Sequence, residues 1–304
     1  MAISRAQLVK ELEPGLNALF GLEYKRYENQ HAEIYTTESS DRAFEEEVML
    51  SGFANANVKV EGSGVAYDEA QETYTARYTH DTLALAFSIT EEAIEDNLYD
   101  RLASRYTKAL ARSMSNAKQV KAVTPLIDGL PSTDGYDSGD GVSLFNTSHT
   151  TVSGTAVKNT LSTQADLNET SLEQALIDIA SMTDERGLRV AARGVKMIIP
   201  SANQFNAERL MKSQGRTGTA DNDINAVASM GMIPQGYRVN NFLTDTDSWY
   251  IITDVPNGMK MFQRAALKTA MEGDFDTGNV RYKARERYSF GVSDYRGIFG
   301  VEGA

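Results

Sequence analysis

The sequence predicts an α+β fold of elongated outline, and three observations carry that expectation. From Glu91 to Ala122 the chain keeps one apolar helical face with no Gly or Pro. Two stretches, TYTARYTHDTLALAFSIT and VRYKARERYSFGV, alternate with the two-residue period of strands. Between them, from about Thr170, helical and strand patterns follow one another.

Each element has its own signal. Ser4 to Phe20 places Leu8, Leu12, Leu16 and Leu19 at helical spacing, with Pro14-Gly15 expected to break or kink the segment. His31 to Thr90 has no helical period. It holds DRAFEEEVMLSGF, the small-residue stretch ANANVKVEGSGVAYDEAQ, and then the alternating run from Thr73. The alternation changes phase near His80 to Thr82, which predicts a bend or bulge. A hairpin this long with a glycine-rich tip exceeds what a compact domain buries, so it is expected to reach outward. Ser88-Ile-Thr-Glu91 fits a capping box ahead of the long helix, which at 1.5 Å per residue would run about 48 Å. Residues 126–165 read as loop. Thr170-Ser-Leu-Glu173 reads as a second capping box, and Gly187 as a stop. VKMIIP reads as a buried strand, ANQFNAERLM as a helix, and YRVNN, WYIIT and MKMFQ as short strands.

Composition narrows the function. The chain has 304 residues, 30 Lys+Arg against 42 Asp+Glu, and a net charge of -12. A dedicated DNA-binding protein usually carries the opposite sign. There is no cysteine, so disulfides, thiolate metal sites and cysteine nucleophiles are excluded. No stretch has the length and apolarity of a membrane span.

A search for catalytic chemistry finds little. His31, His80 and His149 are scattered without metal-ligand spacing and read as structural residues. Asp134, Asp137 and Asp140 lie three apart rather than at the two-residue spacing of a calcium loop, and read as a solvated turn. GRTGTADND lacks the Gly-Lys-Ser/Thr ending of a phosphate loop and reads as a surface loop. No cofactor or metal is expected.

The last alternating run is the most unusual feature. Val280, Tyr282, Ala284, Glu286, Tyr288, Phe290 and Val292 share one parity, and Arg281, Lys283, Arg285 and Arg287 the other. Cations two apart could follow phosphates. The apolar parity nevertheless reads as core rather than as a stacking platform. Acidic residues elsewhere, Glu45, Glu46, Glu47 and Glu61 among them, offer protein partners of the right sign. An intersubunit or interdomain salt-bridge face, with Arg77 on the hairpin joining the four cations, is favoured over nucleic acid.

Four segments in order resemble the major capsid (major head) proteins of tailed phages, particularly the Mu-like major head subunit group. They are ALAFSITEEAIEDNLYDRLASRYTKALARSM, VKMIIPSANQFNAERLM, FLTDTDSWYIITDVPNGMKMFQRAALKT and VRYKARERYSFGVSDYRGIFG. The resemblance implies the Hong Kong phage-type capsid fold. Its parts would be an N-terminal arm over 1–30 and a peripheral domain over 31–159. The peripheral domain would carry an extended hairpin, the E-loop, at 41–82 and a spine helix at 91–122. An axial domain would cover 160–262, with a return to the peripheral domain over 263–304. It also implies a structural, non-enzymatic protein that self-assembles into pentamers and hexamers of an icosahedral shell around double-stranded DNA. Portal, scaffolding and decoration proteins would be its other partners, without a membrane. Its place would be the virion, after assembly in the host bacterial cytoplasm. No coiled-coil segment precedes the arm, so scaffolding is expected from a separate protein. No motif for side-chain crosslinking is found, so assembly is expected to be noncovalent. An encapsulin-like compartment is the alternative of the same fold, and a soluble enzyme with a carboxylate cleft the alternative of another class.

Overall fold

The computed structural model describes residues 5–90, 92–93, 99–133, 135–215, 223–274 and 278–304, with side chains at 5–12 and 99–102 left aside. Ile94, Leu98, Asp134 and most of GRTGTADND fall outside the described residues.

The first helix, α1, spans Arg5–Arg26. It runs through Pro14 and six residues past Phe20, where a break had been expected. Proline removes one backbone donor and crowds the preceding turn. Here Leu16 and Phe20 are buried just beyond it, so tertiary packing carries the helix across. A single 3-10 turn, Gln30–Glu33, then leads into β1 (Thr36–Ser39).

The hairpin follows as β2 (Phe44–Leu50) and β3 (Glu72–Thr79), paired antiparallel as a two-stranded sheet of their own. The phase change at His80 is the point where the chain leaves this sheet. β4 (Asp81–Ile89) continues in another sheet. The long helix α2 is described over Tyr99–Asp128, six residues beyond the predicted end at Ala122 and through Pro125. Ala122, Val123 and Leu126 are all buried, so the last turns are held by the core. Two short strands, β5 (His149–Thr150) and β6 (Ala156–Val157), form a small ladder in the long loop.

Helix α3 spans Glu169–Ser181. Its capping box is Asn168 with Ser171, not the Thr170 and Glu173 pair expected from sequence. The Asn168 side chain accepts from Ser171 N–H and the Ser171 hydroxyl accepts from Asn168 N–H, which satisfies two donors at the helix start. There follow β7 (Gly194–Ile199), α4 (Gln204–Lys212), α5 (Ala226–Met230), β8 (Tyr237–Val239) and β9 (Trp249–Thr253). β10 covers Met259–Gly273, three times the expected MKMFQ, and β11 covers Val280–Val292. β12 (Ile298–Val301) ends the series.

Two four-stranded sheets organise these elements. The first has the order β1-β10-β11-β4 and the second β12-β9-β7-β8. α1 and α2 cover one face of the first sheet. Leu16, Phe20, Leu110, Ala111 and Met114 pack there against Tyr282, Ala284 and Ile89. The second sheet shares a larger core with α3 and the end of α2, centred on Trp249, Tyr250, Ile251 and Phe299. Burying such side chains contributes roughly 1.5–3 kcal/mol each against conformational entropy.

Candidate assembly surfaces

The hairpin is fixed at its root and open at its tip. At the root, His80 sits between two hydroxyls, Ser40 Oγ at 2.9 Å from Nε2 and Ser289 Oγ at 3.0 Å from Nδ1. Burial, and then the nearby Arg287, hold its pKa below the usual 6.5. Glu47 reaches Lys260 Nζ at 2.5 Å and accepts from Ser293, whose hydroxyl lies 2.5 Å from that of Tyr78. Burial opposes the Lys260 charge, but Glu47 and Glu38 outweigh it and raise the pKa. Further out, Arg186 donates to Asp68 at 3.0 Å and to the Glu69 carbonyl at 2.7 Å. Between these anchors the tip leaves Val58, Val60, Val65 and Tyr67 exposed, Tyr67 at 97%. Apolar groups clustered in this way are what an interface covers.

The predicted charged residues divide into those with partners inside the chain and those without. Glu45 accepts from Ser40 at 2.7 Å. Glu46 and Arg77 lie 3.7 Å apart across the hairpin, with Arg77 also over the Phe44 ring at 4.1 Å. Arg281 pairs with Asp274, and Arg287 donates to the His80 carbonyl at 3.5 Å. Glu61, Lys283 and Arg285 have no partner among the described residues. The alternation predicted for β11 is present: Arg281, Lys283 and Arg285 are exposed, while Val280, Tyr282, Ala284 and Glu286 are buried.

Glu286 is the one charged residue on the apolar parity of β11, and the structure gives it partners. Lys118 Nζ donates to it at 3.4 Å and Tyr24 Oη at 3.5 Å, while the Lys118 ammonium stands 5.0 Å from the Tyr288 ring centroid. Burial raises the carboxyl pKa, and Lys118 pulls it back only in part. The three elements brought together here, α1, α2 and β11, are far apart in sequence, so no local signal identifies the cluster.

A second buried network was also invisible from sequence. Arg296 donates to Glu185 at 2.6 Å, to Asp294 at 3.2 Å and to the Thr183 carbonyl at 2.9 Å. His149 stacks on Tyr295 with centroids 3.9 Å apart, and its ring nitrogens meet Asp140 at 2.7 Å and Asn159 at 3.1 Å. All three histidines are buried and hydrogen-bonded within the fold.

A cleft of about 640 Å³ lies beside α3, walled by Leu176, Ala180, Gly194, Met230, Met232 and Pro234. Among the described residues of its lining the sole carboxylate is Asp254, which accepts from the Arg193 backbone at 2.8 Å. A general acid–base pair needs a second titratable group in reach, and this lining does not supply a second carboxylate. No described helix is long and apolar enough to cross a membrane.

The described residues thus give a hairpin with an exposed apolar tip and a β11 face carrying exposed cations. A sequence model of the family described as "Phage capsid protein" matches residues 72–301, so the chain belongs to the phage capsid protein family. The match is to that family as a whole, and the Mu-like grouping rests on the segments quoted above. No curated protein sequence matches. Among solved structures, the procapsid of bacteriophage JBD30 aligns with a TM-score of 0.53 at 14% identity, over 99% of this chain and 77% of that one. The capsid of Myoviridae phage XM1 aligns at 0.52 and 10% identity, over 89% of each chain. A virus-like particle from Pyrococcus furiosus aligns at 0.51 and 10% identity, over 94% of this chain and 98% of that one. The fold is the Hong Kong phage-type capsid fold, and the chain is a structural major capsid protein.

Proposed function

We propose that this chain builds the icosahedral head of a tailed phage from pentamers and hexamers, closed around double-stranded DNA. The observation that carries the reading is the hairpin. Its root is anchored to the subunit while its tip holds exposed valines and Tyr67 away from any core. Such a tip gains by lying over a neighbouring copy.

In this reading residues 1–30 are the N-terminal arm, 41–82 the E-loop, and α2 the spine helix of the peripheral domain. Residues 160–262 are the axial domain, whose sheet also receives β12 from the closing segment. Glu45, Glu46, Glu47, Glu61 and Arg77 of the hairpin, and Arg281, Lys283, Arg285 and Arg287 of β11, belong to the contact surfaces. The protein acts without catalysis or a cofactor. DNA is held by enclosure, with its charge neutralised by small counterions, so the acidic balance of the chain is no obstacle. Portal, scaffolding and decoration proteins are the further partners, and the finished protein resides in the virion after assembly in the bacterial cytoplasm.

Electron microscopy of native particles, with a nuclease-protection assay on the same sample, tests this. Closed shells holding DNA are expected. Shells filled with protein cargo would instead mark a compartment, and small species alone under every condition would refute the shell. Deleting Asn55 to Gln71 is expected to leave a folded subunit whose shells are fewer and weaker. Shells of wild-type stability from that deletion would remove the clamp from the reading.

A further inference from the structure

The hairpin and the first sheet share one corner. β3 ends at Thr79 in the hairpin's own two-stranded sheet, and β4 begins at Asp81 in the other, so His80 is the single residue between them. Its ring is buried, and so are the two serines that flank it, Ser40 just past β1 and Ser289 on β11. One side chain thus ties the corner to two other parts of the chain. Arg287 adds a long hydrogen bond, 3.5 Å, to the His80 carbonyl.

The partners fix the protons of the ring. Ser40 Oγ lies 2.7 Å from Glu45 Oε1, and a carboxylate only accepts, so the Ser40 hydroxyl donates there. At 2.9 Å from His80 Nε2, Ser40 Oγ is then the acceptor, and Nε2 carries the proton. Ser289 Oγ faces Nδ1 at 3.0 Å and has no other partner among the described residues. Buried hydroxyls are hydrogen-bonded as a rule, so Ser289 donates to a bare Nδ1. The chain from Ser289 through His80 and Ser40 to Glu45 runs in one direction and requires a neutral ring. A second proton would break it. Nδ1–H would donate to Ser289 Oγ and turn that hydroxyl's own proton towards no described acceptor. The new charge would face Arg287 of β11 and Arg264 of β10, against Glu45 of β2 and Asp81 of β4. Asp81 is already paired with Lys121 of α2, and Glu45 already accepts from Ser40.

We propose that His80 is an acid-sensitive pin: its neutral ring locks the corner between hairpin and first sheet, and a second proton frees that corner. The direction in pH follows from the burial and from Arg287, which both make the folded ring harder to protonate than a free histidine. An opened corner returns the ring to water and to the ordinary value of 6.5. The lock is therefore fully present above pH 6.5 and is lost as pH falls through the folded value. Histidine is the side chain suited to a switch in this range. The inference concerns the single subunit and does not depend on the shell reading. Within that reading, it makes the angle at which the hairpin leaves the subunit answer to acid.

Hydrogen exchange of unassembled subunits tests the pin, read on peptides covering residues 77–83 and divided by the chemical exchange rate at each pH. Between pH 6.5 and the folded value, the open fraction of the wild type should rise about tenfold per pH unit. His80→Gln keeps a donor for Ser40 and an acceptor for Ser289 but takes up no proton, so it should remove that slope. His31→Gln should leave the slope in place. Nuclear magnetic resonance of the wild-type rings, with the three histidines assigned by substitution, should find His80 protonated on Nε2 alone at pH 7. That spectrum decides the matter should His80→Gln fail to fold. Equal slopes in wild type and His80→Gln would overturn the pin. So would the same slope in peptides from β9, which would mark global unfolding, or a ring that holds its single proton on Nδ1. Each of these results would leave the shell reading untouched, because no shell enters the measurement.

Discussion

Replacing Lys118 with methionine tests how α1, α2 and β11 are held together. Glu286 is 1% exposed, and its Oε1 has no hydrogen-bond partner among the described residues. Removing Lys118 leaves Tyr24, at 3.5 Å, as its polar neighbour. Breaking one side of a buried ion pair costs about 3–5 kcal/mol, because the remaining charge stays desolvated. A domain is stable by about 5–15 kcal/mol in total, so the loss would be readily measured. The pH dependence follows from the same burial. The folded carboxyl has a pKa above its ordinary 4.5, so the folded state holds the proton more tightly than the unfolded chain. The stability linked to that proton is fully present below 4.5 and is lost as pH rises through the folded value. Without Lys118 the folded value rises further. The Lys118→Met penalty should therefore be greatest near neutral pH and shrink towards pH 4.5. Replacing both partners, Lys118→Met with Glu286→Leu, should be neutral or stabilising by about 1–4 kcal/mol. Urea unfolding of unassembled subunits, followed by circular dichroism across pH, gives both numbers. A single-variant penalty under about 1 kcal/mol, or one that grows as pH falls, would refute the reasoning.

Three further outcomes are expected. Burial, followed by the nearby Lys118 charge, pushes His31 down to about 4, so its stabilising effect is complete above pH 6.5 and is lost as pH falls towards 4. His31→Gln should flatten that acid-side decline by roughly 2–3 kcal/mol, and an unchanged midpoint-against-pH curve would contradict it. Gly300→Ala places a methyl 2.5 Å from Cε1 of the buried Phe145 ring and should cost about 1–3 kcal/mol by overpacking, measured by the same denaturation. Asn168→Ala removes the acceptor at the start of α3 and should cost about 1 kcal/mol, whereas Thr170→Ala should cost much less.

What could be read from sequence was what local periodicity fixes. The parity of β11 follows from its alternating side chains alone, and so does the departure at His80. The length of β10 did not, and the cause is local too. Register shifts between Gln263 and Ala265, and between Ala265 and Lys268, break the alternation, and Ala265, Ala266 and Ala270 give no hydrophobic contrast. The true cap of α3 was hidden because Asn168 and Thr170 both suit a helix start, and only the backbone angles choose between them. The end of α2 past Ala122 was not legible either, because Pro125 suits a helix end, yet Leu126 beyond it is fully buried. The partners of charged residues were the least legible. Glu47 finds Lys260 at a separation of 213 residues, Arg186 finds Asp68 at 118, and Lys118 finds Glu286 at 168. Charge sign can be read from sequence, but the pairing is a product of the whole topology.

That pairing decides what the hairpin can do. A flexible loop docking on a neighbour loses conformational entropy at every residue it orders, of order 1–2 kcal/mol each. Here the ordering is already done up to the tip. Tyr78, Ser293, Glu47 and Lys260 hold one side of the root, His80 with Ser40 and Ser289 holds the turn into β4, and Arg186 holds Asp68 beyond the end of the strands. If the hairpin docks on a neighbour as proposed, only the segment between Ser51 and Asp68, which exposes Val58, Val60, Val65 and Tyr67, is left to order. Glu46, Glu47 and Asp68 pair with cations of their own subunit, whereas the side chains of Glu61 and Glu69 have no partner among the described residues. One hairpin thus combines a preorganised base with an unsatisfied end, the arrangement in which most of the contact energy remains available for association.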